Sequence, residues 1–156
     1  MVCDASASLL TRSAGEEIAA LQAHLELLKA LGCRVFILAE TSNAIHCDQG
    51  SPLSATPRLA DSAWPEFGRK LSDVADYLSG AGLRMAYHHH LGTVVESQPD
   101  LARFLESTGA SVGLTLDTGH AALPLAADRR RARADDLWRR SIVWNSRQAT
   151  VARAGN

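Results

Sequence analysis

Residues 33–39, CRVFILA, decide the fold. The run has strand length and lacks the polar–apolar alternation of a strand with one wet face. It fits a strand covered on both sides, as in a parallel sheet flanked by helices. Working outward, residues 83–88 (LRMAYH) and 112–117 (VGLTLD) are two further strand-length runs. Helical patterns separate them. Ser13-Ala14-Gly15-Glu16 reads as a capping box, after which Ile18, Leu21, Leu25, Leu28 and Leu31 recur at helical spacing until Gly32. A second helix is expected from about Trp64 to Ser79, with Phe67, Leu71, Val74 and Leu78 on one face and Gly80 and Gly82 at its end. Ser97 opens a third, with Asp100 three residues on and Leu101, Phe104 and Leu105 inside. Strands separated by helices pair in parallel through right-handed crossovers. The fold class is therefore α/β, with parallel strands alternating with helices.

The chain has 156 residues, enough for one domain with a real core. A complete (β/α)8 barrel typically takes roughly 250. Residues 40–62 are polar and contain Gly50, Pro52 and Pro57, so they read as a long loop of the kind usually kept for function. The βα alternation runs to about residue 121. Beyond it, Arg129, Arg130, Arg131, Arg133, Arg139 and Arg140 crowd one stretch, opposed by Asp128, Asp135 and Asp136. Residues 122–156 are read as an atypical basic tail, irregular or helical, in which Ile142-Val143-Trp144 is the one strand-like run.

The formal net charge of -1 argues against nucleic acid as the main partner, and the body of the chain has no basic stripe. No apolar run approaches the roughly 18 residues of a membrane span. MVCDASASLLTRS has no basic start followed by an apolar stretch, so no signal peptide is expected. Cys3, Cys33 and Cys47 are odd in number and show no CxxC spacing, which points to reduced thiols and a cytoplasmic setting.

Ligands of parallel sheets bind beyond the C-terminal ends of the strands. Three such ends carry unusual polarity: Glu40 to Asn43, His88-His89-His90, and Asp117-Thr118-Gly119-His120. Strand alternation sends His88 and His90 to one face and His89 to the other, where a packed, hydrogen-bonded role is expected. Asp117 ends an apolar run, where a carboxylate is costly unless paired or coordinating a metal. Carboxylate and imidazole together suit Mn²⁺, Co²⁺, Fe²⁺ or Zn²⁺ better than Ca²⁺. Glu40, His88, His90 and His120 are the available acid–base groups, and Glu96 reads as a capping or solvated residue. There is no phosphate-cradling glycine motif and no GxSxG elbow.

Taken together, LLKALGCRVFILAETSNAIH, LRMAYHHHLGTVVE and VGLTLDTGHA, with PLSATPRLADSAWPEFGRKLSDVADYL between, resemble the myo-inosose dehydratase family of the xylose isomerase-like TIM-barrel superfamily. The resemblance implies a partial (β/α)8 TIM barrel over residues 1–121. It implies metal-assisted dehydration of a polyol ketone, 2-keto-myo-inositol, with Mn²⁺ or Co²⁺. By the same resemblance Asp117 ligates the metal, His120 lines the substrate site, and His88 stands where relatives place a Glu ligand. Family members take a further His and Glu from later strands, and nothing after Ala121 matches them. The resemblance thus implies impaired turnover by this chain alone and self-association through exposed sheet edges. A sibling sugar isomerase or epimerase, or a non-catalytic barrel fragment, are the alternative readings.

Overall fold

A computed structural model describes residues 5–45, 48, 50–117 and 141–143. The elements are β1 (Ala5–Ala7), α1 (Ala14–Ala30), β2 (Val35–Glu40), α2 (Trp64–Gly80), β3 (Arg84–His88), α3 (Gln98–Ser107), β4 (Val112–Leu116) and β5 (Ser141–Val143). Short 3-10 turns, Leu53–Ala55 and Asp61–Ala63, lie in the long loop before α2. The sheet order is β1-β2-β3-β4-β5, with every neighbouring pair parallel. Consecutive parallel order, with helices between successive strands from β1 to β4, is the winding of a (β/α) barrel wall. β5 falls within the segment expected to be irregular or helical; the rest of 122–156 lies outside the described residues.

Local sequence sets the helix limits. Ser13 caps α1: its hydroxyl accepts from the Glu16 N–H, and the Glu16 carboxylate accepts from the Ser13 N–H at 2.8 Å. Ser97 and Asp100 repeat the device on α3. At the other ends, α1 and α2 stop in the same way. Gly32 and Gly82 take φ of 68° and 88°, a region that L side chains avoid. The Cys33 N–H then donates to the Leu28 carbonyl and the Leu83 N–H to the Leu78 carbonyl, each at 2.9 Å. This pair of Schellman turns reverses the chain identically after both helices and feeds β2 and β3 into the sheet in the same direction.

The core lies between one face of the sheet and the helices. Phe36 and Leu38 of β2, Met85 and Tyr87 of β3, and Val112 and Leu114 of β4 meet Leu21 and Leu25 of α1, Phe67, Leu71, Val74 and Leu78 of α2, and Leu101 and Phe104 of α3. The register pairs Leu38 with Tyr87 and Tyr87 with Leu114, so these side chains form one row across the sheet. Tyr87 stacks against Phe104 at 4.6 Å and meets Phe67 edge-on at 6.5 Å. Each fully buried side chain of this size contributes about 1.5–3 kcal/mol. The opposite parity, Ile37 and Ala39, Ala86 and His88, Gly113 and Thr115, forms the other face.

Gly68 allows α2 and α3 to touch: a Cβ built there would lie 2.0 Å from the Ser107 carbonyl oxygen. Because the obstacle is backbone, the helices must move apart. Gly68→Ala is expected to destabilise the fold by about 1–3 kcal/mol despite the better helix propensity of alanine; urea unfolding with an unchanged midpoint would contradict this packing. Ser13→Ala should cost about 0.5–2 kcal/mol by removing the α1 cap, read as a lower midpoint in the same titration.

Candidate functional site

Parallel pairing puts the C-terminal ends of β2, β3 and β4 on one rim. Glu40 is the last residue of β2 and His88 the last of β3, while Asp117 directly follows β4. His90 stands two residues beyond β3. His120 lies outside the described residues, as do Thr118 and Gly119.

His88 and Asp117 come together. His88 Nε2 lies 3.5 Å from Asp117 Oδ2, with the side chains 13% and 31% exposed, so the pair is sheltered yet reachable. Register explains the meeting: His88 pairs with Thr115, and Asp117 continues the parity of Thr115 onto the face of Ala86 and Gly113. The His90 ring joins them, its centroid 5.5 Å from that of His88. His90 Nδ1 lies 3.2 Å from the Leu91 carbonyl oxygen.

His89 takes the other side. It is fully buried, and its Nε2 accepts the backbone N–H of Asp117 at 3.2 Å. This bond ties the end of β4 to the end of β3 and holds Asp117 beside His88. Glu96 accepts from the Gly92 N–H at 2.8 Å, and the Gly92 carbonyl accepts from the Ile45 N–H, so the loops after β2 and β3 are joined.

Glu40 is not brought to the His88–Asp117 pair. It keeps the parity of Phe36 and Leu38, the helix-facing side, and is only 1% exposed. One carboxylate oxygen accepts the Leu9 N–H at 2.5 Å and the other accepts the Ser42 N–H at 2.8 Å. Burial raises the Glu40 carboxyl above the usual carboxylate range, and the donors at Ser42, Leu9 and Leu10 pull it partly back. Tyr87 is also pushed up, first by its own burial and then by the charge of Glu40. Sequence reasoning missed three residues that shape this part of the rim. Tyr87 was legible only as an apolar strand position. Glu17, which accepts from the Ser8 N–H, looked like an ordinary acidic first-turn residue. Lys70, which donates to the Leu9 and Arg12 carbonyls at 2.9 Å each, carried no sequence signal.

A divalent ion can be tested against this geometry. Two donors on one first-row ion at about 2.0–2.2 Å lie about 3–3.5 Å apart. His88 Nε2 and Asp117 Oδ2, at 3.5 Å, fit a shared ion in both spacing and donor type. Among the described residues no group of three or more His, Cys, Asp or Glu is placed to hold a metal ion, so His88 and Asp117 are the two donors that the geometry offers there.

The curated relatives include the rhizopine catabolism protein MocC of Rhizobium meliloti, 40% identical over 114 residues, which are 73% of this chain and 35% of that protein. Inosose dehydratase of Geobacillus kaustophilus is 35% identical over 109 residues, 68% of this chain and 35% of its own length. Inosose dehydratase of Lacticaseibacillus casei is 32% identical over 123 residues, 76% of this chain and 40% of its own. The matched part is thus between a third and two-fifths of these relatives. A solved structure of L-ribulose 3-epimerase aligns with 71% of this chain and 35% of its own, at a TM-score of 0.51 and 16% identity, a likeness of fold alone. No helix among the described residues is long and apolar enough to cross a membrane. The model of the family described as xylose isomerase-like TIM barrel matches residues 6–147, taking in all five strands except the first residue of β1, and the chain therefore belongs to that family.

Proposed function

We propose that this chain carries part of the active rim of an inosose dehydratase-like lyase that removes water from 2-keto-myo-inositol with the help of a divalent cation, Mn²⁺ or Co²⁺. The observation that carries the reading is the convergence of His88 and Asp117 from neighbouring strands, with His90 beside them. The names of the relatives point the same way: inosose dehydratases match over two-thirds or more of the chain.

Asp117 and His88 are the residues that would hold the ion. When bound, such an ion acts as a Lewis acid on the ketone oxygen and so acidifies the neighbouring C–H. The chain's own part is proton handling and orientation. Near neutrality an imidazole can take the proton from the carbon next to the carbonyl and can return one to the departing β-hydroxyl. His90, beside the His88–Asp117 pair, suits the first role; His120 is the candidate imidazole for the second. The buried His89 keeps Asp117 in place through its backbone N–H, as outer groups do for metal ligands.

The experiment is incubation of the purified protein with 2-keto-myo-inositol and Mn²⁺, following the trihydroxycyclohexane-dione by its absorbance. Little or no dione formation, far below that of a full-length inosose dehydratase assayed alongside, is the expected result for this chain; turnover comparable to the full-length enzyme, or formation independent of added metal, contradicts the reading. Asp117→Asn should weaken Mn²⁺ binding at least about 10-fold by removing a charged oxygen donor, since even outer groups are worth about 10–100-fold. Equal Mn²⁺ affinity of the two proteins in calorimetry would exclude Asp117 as a ligand.

A further inference from the structure

A carboxylate that is nine-tenths or more buried and bonded to the backbone of two separate loops calls for a different explanation from one facing a substrate. Glu40 is such a group. Leu9 belongs to the loop between β1 and α1, and Ser42 to the loop after β2; both loops stand on the rim that holds His88 and Asp117. The first loop is fixed from its other sides as well. The Glu17 carboxylate accepts the Ser8 N–H at 3.2 Å and faces Arg12 at 3.6 Å. Lys70 of α2 binds the carbonyls of Leu9 and Arg12. The Thr41 N–H donates to the Ala7 carbonyl at 3.1 Å, so the two loops leave the sheet as neighbours.

We infer that Glu40 is a positioning residue, a two-loop clamp that holds residues 9–12 and 41–43 at fixed places on the rim so that their polar groups form one wall of the polyol site. This rests on the reading of the rim as a substrate site, and it deepens that reading by giving Glu40 a role other than proton transfer. An acid–base residue must present an oxygen to the substrate; both oxygens of Glu40 are occupied by backbone donors. A clamp needs both oxygens as acceptors, which only the ionised carboxylate provides fully. The titratable group that faces it is Tyr87 on β3, whose burial keeps the phenol neutral, while Glu17 on α1 with its partner Arg12, and Lys70 on α2, hold the loop that Glu40 binds.

Glu40 is raised in the folded state, so folding favours its protonated form, and this contribution to stability fades as pH rises from the ordinary carboxyl range through the raised value. The clamp behaves in the opposite sense. Protonation turns one acceptor oxygen into a hydroxyl, and the loop amide bonded to that oxygen loses its acceptor as pH falls.

Backbone amide hydrogen exchange, expressed as protection factors, tests this without any need for turnover. In the wild-type protein Leu9 and Ser42 should both be protected at neutral pH, and one of them should lose about 10-fold protection on acidification through the raised carboxyl value. Glu40→Gln, which has one acceptor oxygen at every pH, should show that loss already at neutral pH and no pH step, while the β2 amides of Phe36 and Leu38 stay protected. Glu40→Asp, one methylene shorter, should lose Leu9 protection and keep that of Ser42, two residues away. Unchanged Leu9 and Ser42 protection in Glu40→Gln, or a pH step that persists in it, overturns the clamp. Loss of Phe36 and Leu38 protection along with the loops would make Glu40 a general fold residue and overturns it too. None of these outcomes bears on the metal affinity of Asp117→Asn, so the two readings fail separately.

Discussion

Parallel pairing of β2, β3 and β4 in a fixed register is the constraint on which the rest depends. A parallel ladder places every strand's C-terminal end on the same side, and a one-residue slip would send each side chain to the opposite face. Here the row Leu38–Tyr87–Leu114 locks the register, because all three must face the helices to be buried. With that row fixed, Thr115 stands opposite His88, and Asp117, two residues on, reaches the same face. The meeting of an imidazole and a carboxylate on the rim is thus a consequence of where the hydrophobic core sits. A polar pair of this kind contributes little to stability when partly exposed, so the energy that holds it in place comes from the core.

The rim divides into two kinds of polar group. His88, His90 and Asp117 lie on the face turned away from the helices and remain partly exposed. Glu40 and His89 lie on the helix-facing side, buried, and spend their acceptors on backbone N–H groups. The second set makes the first possible. His89 holds the residue that presents the carboxylate, and Glu40 holds the loops beside it. Tyr87 links the two halves, packing in the aromatic core while its hydroxyl end senses the charge of Glu40.

Much of this was legible in the sequence. Ser13 and Ser97 announce their helices because a capping box is local, and the apolar runs at β2 and β4 can be read without knowing their partners. His89 falls on the opposite face from His88 and His90 for the same local reason, strand alternation. β1 was not legible: Ala-Ser-Ala has neither length nor bulk, and it becomes a strand only because β2 offers a ladder to pair with. The destination of Glu40 was hidden by distance, since its partner Leu9 is 31 residues earlier and donates from the backbone. Lys70 was hidden likewise, because a lysine on a helix reads as solvated until the loop carbonyls it reaches are known.

The ends of β3 and β4 together are proposed as the cation site. Line broadening of backbone amide signals by substoichiometric Mn²⁺ tests it most directly, because the paramagnetic effect falls steeply with distance. His88, His90 and Asp117 should broaden first, while Arg84 and Val112 at the opposite ends of the same strands stay sharp. Broadening that begins at Arg84 and Val112, or that spreads evenly over the sheet, would contradict it.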